Sequence, residues 1–295
     1  MAKNFDLFGN PIEESVILRE EFIEPPFTIL DAKGGGWQKR KNMWKSLGIK
    51  SEVGRDAKAM NMKDWADKKA EEGALKGHQL PSDTSIFDPA LCEVLYRWFC
   101  EKGDKILDPF AGGSVRGIVA NYLGYNYTGI DIREEQIKSN YEQAEKIIPD
   151  NMPQWFCGDS NRVLDELPED RLYDFVFSCP PYGDLEVYSD LDGDISNMPY
   201  DKFLRAYRLI IYKCCERLKS GGFACFVVGE FRDKHGNYVG FVPDTIKAFT
   251  DAGLNYYNEA ILCTCPASAS IRAKGNMKTK KLVKVHQNVL VFKKD

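Results

Sequence analysis

From about residue 81 onward, apolar positions alternate between helical and strand spacing. PALCEVLYRWFC (Pro89 to Cys100) carries apolar residues at a helical period, and Gly103 breaks it. Lys105 to Leu107 then reads as a strand running into DPFAGG, followed by a helix over Val115 to Leu123. A second strand, Tyr127 to Ile130, ends at Asp131 and gives way to a helix reaching Ile148. Gln154 to Cys157 and Phe175 to Ser178 are the third and fourth strands. A long helix over Phe203 to Leu218 stops at the glycine turn Lys219 to Gly222. A strand over Phe223 to Val228, a helix over Asp244 to Ala252 and strands over Glu259 to Cys263 and Asn288 to Phe292 complete the series. Strand and helix alternating in this way predict an α/β fold: a doubly wound, mostly parallel seven-stranded sheet covered on both faces.

The segment before it reads differently. Residues 1–80 contain Pro25-Pro26, the triplet Gly34 to Gly36 and a polar, lysine-rich stretch around Asp64 to Leu75. The expected division is an irregular N-terminal extension over 1–80 and one larger domain over 81–295, which a chain of 295 residues accommodates.

Charge and cysteine content narrow the classes. A formal net charge of -4 argues against a uniformly basic nucleic-acid coat. Two local segments depart from it: WQKRKNMWK (Trp37 to Lys45), and Arg272 to Lys284, which contains no acid. Lys39, Arg40 and Lys41 in the first, with Arg272, Lys274, Lys278, Lys280 and Lys281 in the second, are candidate phosphate contacts; each patch reads equally as a solvated face. The nine cysteines are scattered and the three histidines isolated, which predicts reduced, buried thiols with neither a metal site nor a disulfide framework. No apolar run approaches the ~20 residues that span a bilayer, and MAKNFDLFGN has no signal core, so a cytoplasmic protein without membrane attachment is expected. Oligomeric state has no signature here.

The candidate chemistry collects at strand ends, where an open parallel sheet binds ligands. DPFAGGSVRG (Asp108 to Gly117) follows the first strand, and Gly112 and Gly113 allow backbone to approach a ligand closely. Asp131 lies about 20 residues on, where an acid takes ribose hydroxyls. Asp159 ends the third strand, where a carboxylate accepts from an adenine amino group. Neither the G-K-[ST] ending of a phosphate-binding loop nor G-x-G-x-x-G is present, so a nucleoside cofactor without a pyrophosphate fits best. The fourth strand runs into SCPPY, Ser178 to Tyr182.

Taken together, TSIFDPALCEVLYRWF, LDPFAGGSVRG, GIDI, GDS and SCPPY resemble the S-adenosylmethionine-dependent DNA amino-methyltransferases, with a likeness to phage and prophage modification methylases. The resemblance covers roughly Thr84 to Asp295 and implies a Rossmann-like methyltransferase sheet, S-adenosylmethionine as cofactor and DNA, double-stranded, as partner. It implies that Asp108, Pro109, Phe110, Ala111 and Gly112 surround the cofactor, with Phe110 beside its adenine. Gly112 would make room for the methionine end, Asp131 would bind the ribose and Asp159 the adenine amino group, with Ile132 and Ser160 also at the cofactor, and Thr84, Ser85 and Phe87 would border the methionine carboxylate.

The implied reaction is methylation of adenine N6 or cytosine N4. An exocyclic amino group is a poor nucleophile because its lone pair is delocalised into the ring, and acceptors fixed at its hydrogens favour the reactive form. Pro180 and Pro181 would stiffen the corner that holds such carbonyls. Tyr182 would stack on the extruded base. Cys179 stands where the family has Asp, Asn or Ser, and a thiol is a weak acceptor. Three readings stay open: Cys179 fills space while backbone carbonyls accept, Ser178 or a water substitutes, or Cys179 is a thiolate nucleophile for carbon-5 methylation. The target base is therefore undetermined. An RNA amino-methyltransferase and a catalytically silent DNA-binding protein are the other rivals.

Two loops complete the edge. Gly183 to Pro199, with Asp184, Glu186, Asp190, Asp192 and Asp194, reads as a solvated, mobile lid because its DLDGD lacks a calcium loop's spacing. In FVVGEFRDKHGNY (Phe226 to Tyr238), Glu230, Arg232 and Asp233 are expected to form ion pairs that shape the pocket wall.

Overall fold

A computed structural model of the chain describes residues 18–50, 86–181, 191, 193–264 and 268–295. The eight strands are β1 Ile29–Asp31, β2 Lys105–Asp108, β3 Asn126–Asp131, β4 Gln154–Cys157, β5 Tyr173–Ser178, β6 Leu218–Val228, β7 Asn255–Cys263 and β8 His286–Lys293. They form one sheet in the order β1-β7-β8-β6-β5-β2-β3-β4. Only β8 runs against its neighbours, β6 and β7. The chain leaves β2 for β3 and β4 on one side and returns to β5 on the other, which puts the topological switch point, and its ligand crevice, between β2 and β5.

Nine helices are described: α1 Leu18–Phe22, α2 Gly35–Ser46, α3 Pro89–Phe99, α4 Val115–Tyr122, α5 Glu134–Ile147, α6 Ser160–Glu166, α7 Tyr200–Glu216, α8 Phe241–Asp251 and α9 Ser268–Lys278. The start of α3 follows from its sequence: Asp88 caps the helix by accepting from the Ala90 amide at 3.0 Å, and Pro89 fills a first-turn position that needs no N–H. Strand β5 is central, and its alternate residues feed two cores. Phe175 and Phe177 pack against Tyr96 and Phe99 of α3, while Val176 joins Tyr207 and Phe203 of α7 on the opposite face.

Two features differ from expectation. An eighth strand comes from the N-terminal segment: β1 pairs in parallel with β7, and α2 buries Trp37 and Trp44 in the core beneath it. The segment 18–50 thus adds one strand to the sheet and is held by two indoles seven positions apart on one helical face. The glycine turn at 219–222 lies inside β6 as a bulge, with Leu218 opposite Tyr173 and Phe223 opposite Phe175.

Candidate functional site

The end of β2 is built around a carboxylate. Asp108 is fully buried, and its Oδ1 accepts from the Phe110 amide (3.1 Å) and the Ser178 hydroxyl (2.5 Å). Its Oδ2 accepts from Arg116 Nε (2.5 Å) and the Tyr127 hydroxyl (2.7 Å). Burial opposes the Arg116 charge, but the adjoining Asp108 outweighs it and holds the guanidinium above its ordinary pKa. Burial, with Asp108 beside it, also pushes the Tyr127 phenol well up, so it stays a donor. With four donors spent on it, and outside the residues that line the cavity, Asp108 organises the loop from below. Arg116 extends the hub to the carbonyls of Phe110 (2.6 Å) and Ala111 (2.8 Å), so one side chain shapes the whole turn.

Above that hub lies a cavity of about 410 Å3 lined by Pro109, Phe110, Gly112, Asp131, Ile132 and Asp159 on one side and by Cys179, Pro180 and Pro181 on the other. Gly112 has a φ of 50°, and nothing lies within 4 Å of the place a Cβ would occupy. Its amide donates to Asp131 Oδ2 at 2.8 Å, and its carbonyl accepts from Asn140 Nδ2 at 2.8 Å. Behind Asn140, Gln136 and Arg133 continue the chain of hydrogen bonds, so α5 clamps the glycine turn. Asp159 caps α6, accepting from the Asn161 amide. Ser160 lines the same cavity and donates to the Pro109 carbonyl at 2.5 Å, which fixes the loop. An open glycine, two carboxylates at adjacent strand ends and the half-buried Phe110 ring fit the nucleoside part of S-adenosylmethionine.

The corner after β5 enters the same cavity. Cys179 is half-buried and packs against the core, and Pro180 and Pro181 complete the wall. Ser178 sits below them, fully buried with its hydroxyl on Asp108, so its expected part as a substitute acceptor does not match its position. Tyr182, Thr84 and Ser85 lie outside the described residues. Phe87 lines the cavity with the Arg116 guanidinium 4.6 Å above its ring.

The first basic segment is not a free cationic surface. Arg40 pairs with Glu93 at 2.7 Å and Lys41 with Asp88 at 2.9 Å. The Trp44 indole also donates to Glu93 (2.6 Å) and the Trp37 indole to Asp88 (3.1 Å). Two carboxylates, the cap residue Asp88 and Glu93 of α3, therefore dock α2, and of the expected DNA contacts in this segment Lys39 alone is exposed. In the second segment Arg272, Lys274, Lys278 and Lys280 are exposed and Lys281 is half-buried.

The two loops also depart from expectation. Asp194, read as part of a solvated lid, is buried at the cavity wall, where its carboxylate caps a short turn over Ile195–Asn197. Residues 182–190 and 192 lie outside the described residues. After β6, Glu230 accepts from the Gly240 and Val242 amides, Asp233 closes its own turn, and Arg232 stacks 4.0 Å over Tyr238. These are backbone caps and a cation–π contact, not the expected ion pairs. Among the described residues, no group of His, Cys, Asp and Glu is arranged to hold a metal, and no helix is long and apolar enough to cross a membrane.

The sheet order and the switch-point crevice define a class of fold, the doubly wound, Rossmann-like α/β sheets. Within it, residues 26–143 match the N6_N4_Mtase family, described as DNA methylase. That match supports methyl transfer and S-adenosylmethionine as the cofactor. A curated relative, "Probable tRNA (guanine(10)-N2)-dimethyltransferase" of Methanothermococcus thermolithotrophicus, is 30% identical over 89 residues, 28% of this chain. The chain spans 53% of that relative's length. Among solved structures, TrmN from Thermus thermophilus aligns at 15% identity and a TM-score of 0.47, covering 77% of this chain and 53% of that one. Magnesium protoporphyrin IX methyltransferase from Synechocystis PCC 6803 aligns at 12% identity and a TM-score of 0.45, covering 81% of this chain and 100% of that one.

Proposed function

We propose that this chain methylates an exocyclic amino group of a base, adenine N6 or cytosine N4, in double-stranded DNA. The observation that carries the reading is the shared cavity: the nucleoside cradle of Asp131, Asp159 and Gly112 and the corner of Pro180 and Pro181 face one space across the switch point. When bound, S-adenosylmethionine supplies an electrophilic methyl group and takes back the carbon–sulfur bonding pair. Asp131 accepts from the ribose hydroxyls while its other duty, the Gly112 amide, holds the turn open. Asp159 accepts from the adenine amino group, and Phe110 packs against that ring.

On the substrate side, the prolines hold the corner's carbonyls still, so that acceptors are in place before the amino lone pair attacks. The methylated amino nitrogen, strongly acidic while it carries its extra proton, releases that proton to solvent. An extruded base fits this arrangement because a stacked base cannot bring its amino group to a switch-point crevice. The packing of Cys179 against the core favours the space-filling reading, in which backbone carbonyls and not the thiol accept from the amino group.

RNA is the second reading. Its support is the curated relative, whose printed activity is on a guanine amino group of tRNA. Incorporation of labelled methyl from S-adenosylmethionine into duplex DNA and into tRNA, measured side by side, separates the two. Preferential labelling of DNA is expected, and preferential labelling of tRNA would replace DNA as the substrate.

A further inference from the structure

We infer that α9 and the chain just after it form the docking surface for the sugar–phosphate backbone of duplex DNA. This rests on the reading that the substrate is DNA. The first observation is topological. β7 and β8 are antiparallel neighbours with Cys263 opposite His286, a connection that two to five residues can close. Residues 264–285 intervene instead, so the excursion serves something other than the sheet.

Its position is the second observation. Thr264 at the exit from β7 and Gln287 at the start of β8 both line the cavity that holds the proline corner. The excursion therefore leaves and re-enters the fold at the rim of the site. It also touches the neighbouring hairpin, where Lys281 fills the space a Cβ at Gly236 would occupy.

Charge supplies the third. Arg272, Lys274, Lys278 and Lys280 are exposed and, among the described residues, none forms an ion pair. No acid occurs from Arg272 to Lys284, in a chain whose net charge is -4. The patch is thus a local feature, and it contrasts with α2, where Glu93 and Asp88 neutralise Arg40 and Lys41. Of the two basic segments, this one has the larger number of exposed cations among the named phosphate contacts, four against Lys39 alone.

The helix itself is the fourth. Ala269 is its only buried apolar residue, while Ile271 and Met277, with Leu282 beyond it, stay exposed. A helix without a packed stripe gains little from the fold, so its stability and its purpose lie in what it meets. A row of cations with apolar side chains between them suits a duplex, whose phosphates flank apolar sugar edges.

The test is a full-length variant carrying Lys274→Glu, Lys278→Glu and Lys280→Glu. A charge-reversal control on the exposed face of α5 carries Lys138→Glu and Lys146→Glu. Binding to a duplex is measured from about 50 to 200 mM salt, with S-adenosylmethionine affinity as the check that the site is intact. Removing three phosphate contacts is expected to shrink the slope of log K against log salt by about 2.7, at roughly 0.9 per contact. The KM for DNA should rise at least tenfold, while the α5 control keeps the wild-type slope. An α9 variant with the wild-type slope and KM, in a protein that methylates DNA, overturns this inference and leaves the DNA reading standing. A wild-type chain that labels no DNA overturns the reading beneath it. Tighter binding of tRNA than of duplex through the same three lysines overturns the occupant assigned here.

Discussion

The Ser178 hydroxyl donates to Asp108 Oδ1 across 2.5 Å, joining the end of β5 to the end of β2. The cofactor turn and the proline corner therefore share one buried anchor. Ser178→Ala removes one of the four donors on a buried carboxylate, a loss of about 1.5–3 kcal/mol. Urea unfolding should show that loss, while kcat falls less than about tenfold, or roughly 1.4 kcal/mol. If Ser178 instead accepted from the substrate amino group, kcat would fall by about a hundredfold or more, as for a lost transition-state hydrogen bond.

Gly112 combines a positive φ with open space beside it, so Gly112→Ala separates stability from binding. The left-handed backbone costs an alanine about 1–2 kcal/mol. No protein atom resists the added methyl, so the fold survives, but the methyl enters the cradle. Calorimetric titration is expected to show S-adenosylmethionine binding at least ten times more weakly, about 1.4 kcal/mol. Unchanged affinity would place the cofactor elsewhere.

Glu93 serves docking and not DNA. It is buried and accepts from both Arg40 and Trp44. Glu93→Ala leaves a guanidinium and an indole without their partner, at a cost of about 3–5 kcal/mol for a broken buried pair. Limited proteolysis should then cut within residues 33–50 of the variant and spare the wild type. The salt slope for DNA stays as in the wild type, whereas a phosphate-clamping role for Arg40 would change it.

Burial raises the thiols of Cys92, Cys100, Cys214 and Cys225 well above their usual value and pushes Cys215 up to about 12. Raised folded-state values mean that unfolded thiols ionise first, so this contribution to stability is intact below an unfolded pKa of 9.0 and is lost as pH rises through the folded values. Iodoacetamide at pH 8 should modify the exposed Cys157 in the native protein and reach these five only on unfolding. Peptide mass mapping reads the outcome, and rapid native labelling of Cys214 or Cys225 would contradict it.

Much of the site was legible because each of β2 to β5 is a short apolar run that stops at an acid, a glycine or a proline pair. Asp131, Asp159, Gly112 and the prolines announce themselves in that way. β1 did not, since three residues between a proline pair and a glycine triplet carry no period. The docking of α2 was hidden for another reason: its basic residues look like a nucleic-acid patch until Asp88 and Glu93, some fifty positions away, are brought beneath them. Ser178 stands beside the proline corner in the sequence, and only the packing of β2 against β5 shows that its hydroxyl serves Asp108. Asp194 reads as a solvated acid because its neighbours are acidic, yet its own carboxylate caps a buried turn.

The most direct measurement is the identity of the methylated nucleoside after reaction with labelled S-adenosylmethionine and unmodified duplex DNA, by digestion and mass analysis. The account predicts N6-methyladenine or N4-methylcytosine, from the wild type and from Cys179→Ala. Formation of 5-methylcytosine, abolished by Cys179→Ala, would contradict it and make that thiol the nucleophile.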